Sequence, residues 1–163
     1  KLAGAYPMIA VDTLENKLEL AKQAGATHVI NASEVDPVSA LRDLTGGGAV
    51  DVFEAVGSEK ALAQAYAATR KGGRTVTVGL PNPDSELRIS ALSVVAEERQ
   101  LMGSYMGSCV PKRDIPRFLQ LYREGRLPVD ILNSRFIDLD QVNEGFDALD
   151  QGEVARQIIK FDI

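Results

Sequence analysis

The chain has 163 residues, 45% of them hydrophobic and 25% charged, with 14 glycines and 7 prolines. That balance belongs to a packed globular domain and excludes a disordered, collagen-like or low-complexity chain. Its 18 basic and 23 acidic side chains leave a net charge of −5, which offers no blanket of positive charge to a nucleic-acid backbone.

Residues 1–5 read as the last turn of a helix closed at Gly4, so the chain is expected to begin inside a fold. Pro7 interrupts the short apolar start and no small-residue cleavage pattern follows, which argues against a secretory signal. Residues 7–11 are an apolar run predicted as a strand covered on both faces and ending at Asp12. Leu14, Leu18 and Ala21 recur at helical spacing before Gly25, and residues 27–30 form the next strand. Asp36 followed by Pro37 opens a second helix, because the carboxylate caps free amides and proline needs no partner at the first helical position. Gly46-Gly47-Gly48 closes it as a flexible turn.

A third strand runs over residues 49–57, and Ser58 caps a helix to about Thr69. After the turn at Lys71-Gly72-Gly73, residues 74–78 form a fourth strand. A short helix near residues 90–98 precedes a strand over residues 101–106. The tail adds a helix at 113–124, a strand at 136–139, a helix at 141–149 with Val142, Phe146 and Leu149 on its core stripe, and a strand at 155–161. Strands alternating with helices predict an α/β fold around a parallel sheet. The longest uncharged run, residues 100–111, is far shorter than the roughly 20 apolar residues of a membrane helix.

Cys109 is the one cysteine and His28 the one histidine, too few for a disulfide framework or a three- or four-ligand zinc site within this chain. A reducing, cytoplasmic setting suits that usage. His28 reads as a packed or rim histidine beside Val29, and Cys109 as a thiol without a catalytic triad. Asp51 and Glu54, three apart on a strand, point to opposite faces, so they form no acid and base pair and are expected to be structural.

The informative residue is Asp12, an acid at the carboxyl end of an early strand with Lys17 five residues on. In dinucleotide-binding sheets that position accepts hydrogen bonds from the adenosine ribose hydroxyls. A carboxylate there would repel the 2′-phosphate of NADP, and no arginine follows to neutralise one, so NAD is favoured. The competing role is a simple cap on the helix that starts at Thr13 or Leu14. The glycine-rich turn that normally lies about twenty residues upstream is missing.

The series Ala10-Val11-Asp12, Ala24-Gly25-Ala26-Thr27, Val52-Phe53-Glu54-Ala55-Val56-Gly57, Lys71-Gly72-Gly73-Arg74, Val78-Gly79-Leu80-Pro81 and Asn143-Glu144-Gly145-Phe146 resembles the medium-chain zinc-type alcohol dehydrogenases, collinearly along the chain. The resemblance is to their C-terminal portion. It implies a Rossmann-type doubly wound sheet lacking its first strand and glycine turn over residues 1–107. Residues 108–163 would then be an α+β segment that returns to the catalytic domain.

The resemblance also implies roles. Asp12 and Lys17 would hold the adenosine ribose, with Thr13 against the adenine. Ala55 and Val56 would pack beside the cofactor, and Val78, Gly79 and Leu80 would meet the nicotinamide, partly through backbone groups. Ser104 and Met106 would bind the carboxamide through their backbone, and Arg156 would reach the pyrophosphate bidentately.

No catalytic residue and no metal ligand is placed in this chain: the zinc ligands are expected in an absent N-terminal domain, so residues 1–163 alone are expected to be inactive. The implied intact enzyme interconverts an alcohol with its aldehyde or ketone. It is expected to form a dimer or tetramer through the edge strand at residues 101–106. Two other readings compete: a zinc-free quinone or enoyl reductase of the same superfamily, normally using NADPH, and a nucleotide-binding or oligomerisation module without turnover. A short-chain dehydrogenase is excluded, because the place four residues after Tyr66, Tyr105 and Tyr122 holds Arg70, Cys109 and Arg126 instead of lysine.

Overall fold

The structure, a computed structural model, describes residues 1–161. In chain order the elements are β1 (Ile9–Asp12), α1 (Glu15–Ala24), β2 (His28–Asn31), α2 (Pro37–Thr45), β3 (Ala49–Glu54), α3 (Glu59–Ala68) and β4 (Thr69–Thr77). There follow α4 (Ala91–Ala96), β5 (Gln100–Gly103), α5 (Pro111–Arg123), β6 (Asn133–Ile137), α6 (Val142–Asp150) and β7 (Arg156–Ile159), with short 3-10 turns between some of them. The strand pairs are all parallel, so the fold is the α/β one that the alternation predicts and of the Rossmann type that the resemblance implies. The chain divides into two compact units, Lys1–Ser33 with Lys112–Ile163, and Glu34–Pro111.

In the first unit β1 pairs with β2 from Ile9 opposite His28 to Asp12 opposite Asn31. Helix α1 crosses between them and buries Leu18, at 1% exposure the centre of that face. A second parallel pair, β6 with β7, is bridged by α6. Side chains from α1 reach the loop before β7: Asn16 Nδ2 donates to the Gly152 carbonyl at 3.3 Å, and Lys17 Nζ to the Val154 carbonyl at 2.5 Å.

The second unit holds a three-stranded sheet in the order β3-β4-β5. Its helices begin where the sequence supplies acceptors. Asp36 Oδ1 accepts the Ser39 amide at 2.8 Å before α2, Ser58 Oγ the Ala61 amide before α3, and Ser90 Oγ the Ser93 amide before α4. That bond from Ser39 holds the Asp36 carboxyl below the usual carboxylate range. Arg99, buried at the start of β5, donates to the Tyr66 carbonyl at 2.6 Å and stacks over the Tyr66 ring, tying α3 to β5.

Several expectations are corrected. Residues 1–5 form a turn, Gly4 N–H bonding to the Lys1 carbonyl, not the end of a helix. Strand β1 is not covered on both faces: Val11 is exposed and none of its residues is fully buried. The Gly46-Gly47-Gly48 turn is not loose at its end. Gly48 is buried, and a Cβ there would lie 2.7 Å from the Ala68 carbonyl oxygen. Strand β4 starts earlier than residue 74 and passes through residues 71–73 with an irregular register.

Strand β5 ends at Gly103, so the expected edge over residues 101–106 stops there; residues 105–108 turn away, with Met106, Gly107 and Ser108 in the left-handed region. On α6 the buried positions are Gly145 and Ala148, whereas Phe146 and Leu149 are exposed. Small residues face the sheet because α6 lies close to it: a Cβ on Gly145 would meet Ile137 Cδ1 at 2.9 Å, and the Gly145 carbonyl accepts Gln157 Nε2 at 2.6 Å.

Candidate functional site

In open parallel sheets, ligands settle outside the carboxyl ends of the strands, where loops can converge without breaking the ladder. In the second unit β3, β4 and β5 end at Glu54, Thr77 and Gly103. The predicted positions Ala55, Val56, Val78, Gly79, Leu80, Ser104 and Met106 all fall just beyond those ends. The structure brings the first two turns into direct contact and bonds the third to β4.

Glu54 organises the contact. Its side chain is 4% exposed. Oε1 accepts the N–H groups of Val56 and Gly57, both at 2.6 Å, and Oε2 accepts the Thr77 hydroxyl at 2.6 Å. The Glu54 carbonyl accepts Val78 N–H at 2.8 Å and Gly79 N–H at 3.3 Å. A buried carboxylate is costly unless donors surround it, and here they do.

Two glycines allow the turns to touch through their backbones. A Cβ on Gly79 would stand 2.2 Å from Gly57 N, and one on Gly57, whose φ is +79°, would stand 2.7 Å from the Leu80 carbonyl oxygen. Beside them, Ser104 N–H donates to the Thr77 carbonyl at 2.9 Å. The amide hydrogens of Val78, Gly79 and Ser104 are therefore spent inside the fold. The side chains of Val56, Leu80 and Met106 on these turns are strongly exposed. A recess of about 60 Å³ lies under the 54–58 turn, lined in part by Glu54, Leu62, Thr77 and Leu87.

The other predicted positions belong to the first unit. Asp12 is half-buried at the end of β1, and its Oδ1 accepts Leu14 N–H at 3.0 Å, so it does serve the turn into α1. Its second carboxylate oxygen has no partner among the described residues. Thr13 is exposed. Lys17 spends one N–H on Val154 and keeps two. Exposed Arg156, two residues past Val154, bonds through Nη1 to the Ala155 carbonyl at 2.7 Å and keeps its other donors.

His28 Nδ1 lies 2.9 Å from the Thr27 hydroxyl, and Cys109 is half-buried. Asp51 and Glu54 do part to different surroundings: Asp51 pairs at the surface with Arg74 at 2.7 Å. What the sequence did not reveal is that Glu54 bonds to both turns. The partial signal was a glycine three residues after a glutamate at a strand end.

The comparisons with known proteins decide the family. Residues 1–124 match the family model of the zinc-binding dehydrogenases. The chain belongs to that family. Geraniol dehydrogenase of Castellaniella defragrans is 32% identical to this zinc-binding dehydrogenase chain over 162 residues, which is 99% of the chain and 43% of the relative. The crystal structure of benzyl alcohol dehydrogenase from Acinetobacter calcoaceticus superposes with a TM-score of 0.94 at 35% identity, covering 99% of this chain and 44% of that one. A crystal structure from Sinorhizobium meliloti 1021, bound to NADP and assigned to the zinc-binding dehydrogenases, superposes with a TM-score of 0.79 at 27% identity, covering 88% and 42%. The chain thus spans less than half the length of these relatives.

Proposed function

We propose that this chain is the cofactor-binding portion of an NAD-dependent, zinc-containing alcohol dehydrogenase. The reading assigns residues 1–107 to the Rossmann domain and residues 108–163 to the segment that returns to the catalytic domain. The observation that carries it is the contact between the turns after β3 and β4, closed at Gly57 and Gly79 with no side chain between them. The names of the relatives, which act on geraniol and benzyl alcohol, support the reaction class.

The residues present fit a dinucleotide. Asp12 keeps a carboxylate oxygen for ribose hydroxyls, Thr13 is open to the adenine, and Lys17 and Arg156 keep N–H donors for ribose and pyrophosphate oxygens. Ala55, Val56, Val78 and Leu80 offer an apolar surface to a flat ring. The amides of Val78, Gly79 and Ser104 are engaged within the fold, so a carboxamide NH₂, a donor, is the part of the ring end that backbone carbonyls of these turns and of Met106 would bind. When bound, the cofactor would supply the hydride acceptor for oxidation of an alcohol to its aldehyde or ketone with release of a proton. The residues of the first unit would meet the ribose and pyrophosphate, and those of the second would meet the ring.

Zinc does not fit this chain. Among the described residues no group of three or more His, Cys, Asp or Glu side chains could hold a metal ion. We assign its ligands to the remainder of the protein and derive no step through it.

Cofactor choice tests the assignment of Asp12. In the full-length protein the wild type is expected to favour NAD, and Asp12→Gly to raise the NADP to NAD ratio of kcat/KM by about tenfold to a hundredfold, since a fixed negative charge no longer opposes the 2′-phosphate. A wild type that favours NADP overturns it. Pairing between copies through β5, an edge strand of its sheet among the described residues, is part of the same reading. Replacing exposed Leu101 and Met102 together by lysine is expected to lower the sedimentation coefficient to that of a smaller species. Unchanged sedimentation would remove β5 from the interface.

A further inference from the structure

Glu54 is the one carboxylate of the second unit sunk beneath the paired turns, and the proposed chemistry makes no use of it. Its bonds run in two directions. Oε1 takes the N–H groups of Val56 and Gly57 on the turn after β3, and Oε2 takes the hydroxyl of Thr77, the last residue of β4. Its own carbonyl takes the first two amides of the turn after β4. The side chain thus fixes the height of one turn against the other, and the two backbones then meet with no room for a Cβ at Gly79. Held on these fixed turns are Val56 and Leu80, each 78% exposed. Two large apolar side chains kept in solvent by a buried carboxylate make a shelf for a flat, partly apolar ring.

We infer that Glu54 is a positioning residue for the nicotinamide ring: it touches no ligand atom and sets the shelf formed by Val56 and Leu80. The inference rests on the reading that these turns carry the nicotinamide half of the cofactor. Aspartate is one methylene too short to reach both turns, and alanine leaves the Val56 and Gly57 amides without an acceptor. Glutamine can keep both: its oxygen accepts the two amides and its NH₂ donates to the Thr77 hydroxyl.

The test compares NADH with ADP-ribose, which lacks the nicotinamide, by titration against the full-length protein. Glu54→Ala is expected to weaken NADH by about tenfold while ADP-ribose stays within about twofold, and Glu54→Gln to recover most of the loss. Thr77→Val, which removes a single bond, is expected to shift NADH in the same sense by about threefold, and carries the test if Glu54→Ala does not fold. Equal weakening of both ligands, or unchanged NADH affinity, overturns the role of Glu54. A wild type that binds ADP-ribose and not NADH overturns the reading beneath it, and that is seen before any variant is made.

Discussion

Gly79→Ala is expected to abolish tight dinucleotide binding and to lower stability by about 1–3 kcal/mol, the usual range for forcing an extra carbon into a filled interior. The added Cβ would lie 2.2 Å from Gly57 N, 2.6 Å from Gly57 Cα and 3.1 Å from Glu54 Oε1. Two of these neighbours are backbone atoms, so no side-chain rotation relieves the overlap. The turn cannot retreat freely either. Gly57 N–H is bonded to Glu54 Oε1, and Gly57 on its other side stands against the Leu80 carbonyl. Relief must come from parting the turns, which displaces Val56 and Leu80 together. Gly103→Ala is the matched control: it lies at the end of the neighbouring strand, and a Cβ there meets nothing within 4 Å. It is expected to stay within about 0.5 kcal/mol of wild type. Thermal melting and NADH titration of the two variants in the full-length protein check this, and a Gly79→Ala protein indistinguishable from wild type would mean that the turns are not in contact.

Much of this arrangement was legible residue by residue, because local rules suffice for local structure. Asp36 and Ser58 mark helix starts through bonds to amides three residues on, and each forms. Asp12 could be placed at a strand end because an apolar run stops there and a helical pattern follows. Properties set by partners distant in sequence were not legible. Burial of Glu54 depends on the Thr77 hydroxyl, 23 residues later, which no spacing rule connects. The stripe of Val142, Phe146 and Leu149 has helical period, yet the face of α6 that meets the sheet is chosen by how close Gly145 and Ala148 let it approach. Residues 104–108 lack charge, as a buried or edge strand would, but the chain reverses there through left-handed conformations at Met106, Gly107 and Ser108. Hydrophobicity reports burial in the whole protein and says little about where a strand stops.

Residues 1–163 produced alone are expected to melt without cooperativity, bind NAD poorly and expose apolar surface to a hydrophobic dye. Among the described residues β1 pairs with β2 alone and β3 with β4 alone, so each keeps one open edge of unpaired donors and acceptors. Apolar cover is thin as well: among the described residues the buried apolar side chains are Leu18, Ile30, Leu41, Tyr66, Ala68, Ile137 and Ala148, while Val11 on β1 and Val50 and Phe53 on β3 are exposed. Each such side chain left in water forgoes roughly 1.5–3 kcal/mol relative to burial, against a net stability that is typically only about 5–15 kcal/mol. Binding should suffer for a separate reason: a carboxylate at the end of β1 is held no more firmly than the strand that carries it. A longer protein that pairs both edges is expected to melt in one transition and to gain stability with added NAD. A single sharp transition of residues 1–163, together with micromolar NAD binding, would show that the open edges cost little and that the chain needs no further strand to organise its cofactor site.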